Sequence, residues 1–178
     1  MLRKRRKNLG VHFFLPHPVE VDQAEMIWVK VSVKGCRSLY ICSCYRPETG
    51  DVELLDTFNT SLERIAGAAN NMVIAGGDFN FPGWDWQGNT LKPKTQFVAV
   101  HHRFRDIIHN FGLTQIVSQP TRQGNILDLI VTNRPNQVNR TQVLQGISDH
   151  NVVYTEFDVN PMRKKQSPRK IPLMHKAD

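Results

Sequence analysis

The sequence predicts a mixed α+β fold, a mixed sheet or two sheets packed face to face with helices outside, and three observations carry that reading. Residues 26–45 form a hairpin pattern, two later stretches carry apolar residues at helical spacing, and strand-like runs return after each of them. A chain of 178 residues is long enough for one domain with a proper core, and it holds no internal repeat.

The elements follow in order. Residues 26–34, M-I-W-V-K-V-S-V-K, and 38–45, S-L-Y-I-C-S-C-Y, are rich in β-branched and aromatic residues, and Gly35, Cys36 and Arg37 separate them as a turn would. Over 51–69, Leu54, Leu55, Phe58, Leu62, Ile65 and Ala66 recur at the spacing of one helix face. A short apolar run at 72–76 reads as a central strand that stops at Gly76 and Gly77. The segment from 81 to about 95, with Pro82, Gly83, Gly88 and Pro93, reads as a loop. A second helix fits 96–110, with Phe97, Val100, Phe104, Ile107 and Ile108 inward and Gly112 near its end. Strands are expected at 113–117, 126–132 and 151–159.

Composition narrows the function classes. No apolar segment reaches membrane-spanning length, and the basic start M-L-R-K-R-R-K leads into no long apolar stretch, so insertion and secretion are not expected. Cys36, Cys42 and Cys44 lie at no zinc spacing, which fits reduced thiols in an intracellular protein. The net charge of +7 is uneven: residues 1–10 and 161–178 together hold +10, leaving −3 for the chain between. The expected organisation is a basic segment at 1–10, one domain at 11–160 and a flexible basic tail at 161–178. Such ends suit a polyanion, a nuclear-import signal or plain solvation, and with the thiols they make a nuclear location the expectation.

Polar groups interrupt the apolar runs where strands end. Asp78 and Asn80, two positions apart in G-G-D-F-N, face one side of an extended segment. Asp128 stands inside I-L-D-L-I-V-T, and a buried carboxylate is costly unless a donor or metal meets it. Asp149 and His150 follow in I-S-D-H before the last strand, an acid beside an imidazole able to titrate near neutral pH. Each feature alone is explained as well by a turn, a helix cap or a satisfied core acid. Together with Tyr45 of Y-R-P, converging strand ends would offer three carboxylates, an amide, a phenol and an imidazole. That set suits a divalent metal and a phosphate better than acyl transfer.

In order and spacing, G-G-D-F-N, L-D-L-I-V-T-N and S-D-H resemble the endonuclease/exonuclease/phosphatase superfamily with its deoxyribonuclease I-like fold. F-N-F-P-G-W-D-W and L-T-Q-I-V-S-Q-P-T-R are more specifically similar to the endonuclease domain of non-LTR retrotransposons. The resemblance covers about residues 20–159 and implies a four-layer sandwich, two mixed sheets with flanking helices, that hydrolyses a phosphodiester with Mg²⁺ or Mn²⁺. It implies that Asp78 orients or deprotonates water, Asn80 holds a phosphate oxygen, and His150, kept in its tautomer by Asp128, donates to the phosphate. Asp149 would help bind the metal and Tyr45 would touch the phosphate or leaving group. Thr121 and Arg122 would contact the strand backbone of a DNA partner. Trp84 and Trp86 could stack on nucleotides, with Trp86 at least expected to pack the loop down.

The same resemblance implies two earlier strands, one ending in Asn and one carrying a metal-binding Glu, that this chain lacks. Glu20, Asp22 and Glu25 are the nearest upstream acids, and none is assigned that role. A sheet without its first strands exposes apolar faces and edges, so a partner or a missing N-terminal segment is expected to complete it. Three functions fit: a truncated DNA endonuclease, a catalytically dead remnant that acts by binding, and a phosphatase of small phosphoesters.

Overall fold

The computed structural model describes residues 25–33, 37–66 and 71–159, with the backbone of 9–13. The strands are β1 (Leu9–Phe13), β2 (Met26–Val33), β3 (Leu39–Tyr45), β4 (Met72–Asp78), β5 (Trp84–Asp85), β6 (Thr90–Leu91), β7 (Thr114–Gln115), β8 (Asp128–Thr132), β9 (Val138–Leu144) and β10 (Val152–Phe157). Among the described residues two α-helices, α1 (Glu53–Ala66) and α2 (Val98–Asn110), interrupt them. The expected tail at 161–178 and Cys36 lie outside the described residues.

Six strands form one mixed sheet in the order β1, β2, β3, β4, β8, β7, while β9 and β10 pair with each other and β5 and β6 make a short ribbon in the 81–95 loop. The β2/β3 hairpin has Trp28 opposite Cys42 and Met26 opposite Cys44. Those four side chains are buried, because alternate residues of a strand share a face and this face meets the helices. Burial pushes the Cys44 thiol up to about 12 and the Cys42 thiol higher still, so both free cysteines are inert packing groups.

On the helix side Leu54, Leu55, Phe58, Leu62 and Ile65 of α1 and Val100, Phe104, Ile107 and Ile108 of α2 join the same core. The Asp51 carboxylate accepts the backbone N–H of Glu53 at 3.0 Å and starts α1 later than the apolar spacing alone suggested. Gly112, at φ 61, ends α2, and Leu113 N–H returns to the Ile108 carbonyl. On the opposite face of the sheet Ile27 is 55% and Ile41 38% exposed.

Several expectations are corrected. β4 does not stop at the glycines but runs through both to Asp78, because Gly76 and Gly77 pair with β3 on one side and β8 on the other. Gly77 adopts φ 141, and a Cβ there would lie 1.9 Å from the Cys44 carbonyl oxygen. Glycine therefore serves the close approach of two backbones, not the end of a strand. Residues 9–10, read as part of a basic segment, begin β1 against β2. The stretch V-N-R-T-Q-V-L was not anticipated as a strand, yet it forms β9. The strands expected at 113–117 and 151–159 are shorter, at Thr114–Gln115 and Val152–Phe157.

Candidate active site

Three strands deliver one row of polar side chains. β3 and β4 run parallel and end together, while β8 runs antiparallel and begins where they end, so Tyr45, Asp78 and Asp128 are direct cross-strand neighbours. They occupy the face away from the helices, opposite in alternation to the buried Cys44 and Leu129.

Beyond β4 the chain continues as D-F-N-F, and its alternation divides the work. Phe79 and Phe81 are buried against Phe104, with ring centroids 5.0 and 4.6 Å away, while Asp78 and Asn80 turn toward the cleft. Asn80 sits at φ 52, a left-handed conformation that asparagine tolerates better than most residues. Its N–H donates to Asp78 Oδ1 at 2.9 Å, and its amide Nδ2 donates to the Pro47 carbonyl at 3.0 Å.

His150 arrives on the loop between β9 and β10. Its Nδ1 lies 2.8 Å from Asp128 Oδ2, which places the ring proton on Nδ1 and turns Nε2 inward. Nε2 is 3.8 Å from Asp78 Oδ2, so one oxygen atom can sit within hydrogen-bond reach of both groups. Two half-buried carboxylates thus face one imidazole. Burial, reinforced by the negative charge of Asp128, raises the Asp78 carboxyl above the usual carboxylate range, while His150, the Asn80 N–H and Arg122 oppose the rise. Such a group is short of positive charge and is a ready proton acceptor.

The remaining expected residues sit around this centre. Tyr45 is 45% exposed at the end of β3, open to the cleft. Asp149 points outward and pairs with the Arg122 guanidinium at 2.5 Å, with the Asp149 side chain 59% and the Arg122 side chain 37% exposed. Thr121, expected to touch a DNA strand, is fully buried, with its hydroxyl oxygen accepting the N–H groups of Leu127 and Asp128. Trp84 is buried and Trp86 partly so, with centroids 5.7 Å apart, and Trp86 meets Phe104 edge-on. Both rings therefore pack the loop down.

Arg46, inside Y-R-P, is the residue the sequence reading passed over. It is fully buried. Its Nε donates to the Phe79 carbonyl at 2.7 Å, its Nη2 to Asn80 at 2.8 Å, and its Nη1 to Glu48, Thr49 and Asp51. The guanidinium also stacks on Phe81, 4.0 Å from the ring centroid. It thereby ties the end of β3 to the D-F-N segment, and burial lowers its pKa to about 10. An arginine next to a strand-end tyrosine was the available signal.

A family model described as endonuclease-reverse transcriptase matches residues 39–154. No curated protein matches the chain in sequence. Among solved structures the chain is similar to the endonuclease domain of TRAS1, a telomere-specific non-LTR retrotransposon, at 14% identity and a TM-score of 0.61, covering 85% of this chain and 68% of that one. It is also similar to the 3′ phosphatase NExo from Neisseria, determined with a product DNA hairpin, at 16% identity and a TM-score of 0.57, covering 83% and 70%.

Proposed function

Because the chain belongs to the endonuclease-reverse transcriptase family and has the deoxyribonuclease I-like fold, we propose that it is a divalent-metal-dependent phosphodiesterase acting on DNA, an endonuclease of the retrotransposon type. The observation that carries this reading is the facing of Asp78 and His150 across 3.8 Å, with Asp128 holding the far side of the imidazole.

Asp78 is the acceptor for a proton of the attacking water, its affinity for protons raised by burial beside a second acid. His150 Nε2, fixed by the Nδ1 bond to Asp128, donates to the phosphate when protonated. Tyr45, the exposed cross-strand neighbour of Asp78, and Asn80, whose N–H donates to the Asp78 carboxylate, orient the phosphate and the leaving oxygen. A positioned acid or base of this kind contributes roughly 10²–10⁴ in rate.

The donor set fits Mg²⁺ or Mn²⁺. Among the described residues no group of three His, Cys, Asp or Glu forms a ready metal cluster, but Mg²⁺ takes only one or two protein carboxylates plus water and phosphate oxygens. Asp149, once freed from Arg122, would hold the ion, which when bound would neutralise charge developing on the phosphate and leaving oxygen.

The test is nicking of supercoiled plasmid with Mg²⁺, beside Asp78→Ala, His150→Ala and an EDTA control. Nicking that disappears in all three supports the reading. A folded wild-type chain that leaves plasmid intact, or that releases phosphate from monoesters instead, overturns it.

A further inference from the structure

His150 and Asp128 belong to different parts of the molecule. Asp128 begins β8 inside the six-stranded sheet, whereas His150 rides on the β9/β10 hairpin, whose strands pair with none of those six among the described residues. Something must fix one against the other, because a 2.8 Å contact between separate units is lost with a small shift of either.

We infer that Thr121 is the positioning residue that sets the His150/Asp128 pair. Its hydroxyl oxygen accepts the N–H of Asp128 at 3.0 Å and that of Leu127 at 3.0 Å. Its carbonyl accepts the N–H of Asn151, the residue after His150, at 2.8 Å. Its own N–H donates to the Asn125 carbonyl at 2.8 Å, closing a tight turn through Gln123 and Gly124, both at positive φ. One fully buried residue therefore bonds the backbone of the carboxylate itself and the backbone adjoining the imidazole.

Its neighbours hold the same hairpin more loosely. Gln119 Oε1 accepts the Val143 N–H at 3.4 Å, and the Arg122/Asp149 pair is exposed to solvent and salt. Of the contacts in this stretch, the buried Thr121 bond is the one that water cannot easily replace. The catalytic consequence rests on the proposed hydrolysis, but the geometric one does not.

The test uses three forms of the full chain: wild type, Thr121→Val, which keeps the shape and removes the acceptor, and Thr121→Ser, which keeps the oxygen. The primary readout is the low-field proton resonance of His150 Nδ1–H, assigned by its loss in Asp128→Asn. It is expected in wild type and Thr121→Ser, and shifted or absent in Thr121→Val. For nicking, Thr121→Val is expected to lower kcat by about 10- to 100-fold with little change in KM, the range typical of residues that orient a functional group, and Thr121→Ser to restore most of it. In the wild type itself, the Asn151 amide is expected to exchange more slowly than an unbonded loop amide. An unaltered resonance in folded Thr121→Val overturns the inference, and so does an Asn151 amide that exchanges as a free loop does. A wild type that shows the resonance but never nicks leaves Thr121 in its role and removes the endonuclease reading instead.

Discussion

Asp78 carries a cost in the folded chain that the proposed chemistry requires. A carboxyl whose folded pKa lies above its unfolded value favours folding only while it is protonated, and that contribution is lost as the pH rises through the folded pKa. At neutral pH the ionised group is therefore a destabilising one. Asp78→Asn keeps the oxygen that accepts from Asn80 and removes the charge, so we expect it to abolish nicking yet raise Tm at pH 7. The gain should fade as pH falls below about 4, where both states of the wild type are protonated. A melting series from pH 3 to 7 checks this, and an unchanged or lower Tm at pH 7 would refute it. Asp128 and His150 were legible in the sequence because Asp128 interrupts an apolar run and His150 stands beside an acid just before one. The burial of Arg46 and Thr121 was not, because their partners are carbonyls and amides whose positions only the folded backbone fixes: Arg46 reaches residues 33 and 34 positions away.

At the scale of elements, periodicity served where one face of a segment is buried. The core helices and the β2, β3 and β4 strands announce themselves by apolar residues at period 3.6 or 2, and they appear within a few residues of the expected bounds. β9 escaped notice because no residue of V-N-R-T-Q-V-L is buried, so nothing selected an apolar alternation. The end of β4 was misread because glycine marks a turn more often than a close backbone contact, and here the Cys44 carbonyl decides. The first turn of α1 gives a direct measure of local order. Asp51→Ala removes the acceptor for the Glu53 N–H and should cost about 1 kcal/mol in urea unfolding, with the m-value unchanged. A change within experimental error would mean that Arg46, which also binds the Asp51 carbonyl, sets the start of the helix alone.

Over the whole molecule, the convergence of four segments on one opening was expected from the order of motifs, and the row Tyr45, Asp78, Asp128 supplies its physical basis in strand register. The division of the sheets was less visible. β9 and β10 form a two-stranded unit with no fully buried side chain, and an isolated hairpin is only marginally stable in water. The unit that holds the imidazole is therefore expected to open at a smaller free energy than the body holding the carboxylates. In urea, nicking should disappear at a lower concentration than the far-UV circular dichroism of the sheet and helices, and the β9 and β10 amides should exchange before those of β3, β4 and β8. Coincident transitions would show one cooperative unit instead. If the two separate, the protein carries an inactive state within its native ensemble. Any DNA that touches both units stabilises the closed one by mass action, so substrate would switch on the catalyst that cleaves it.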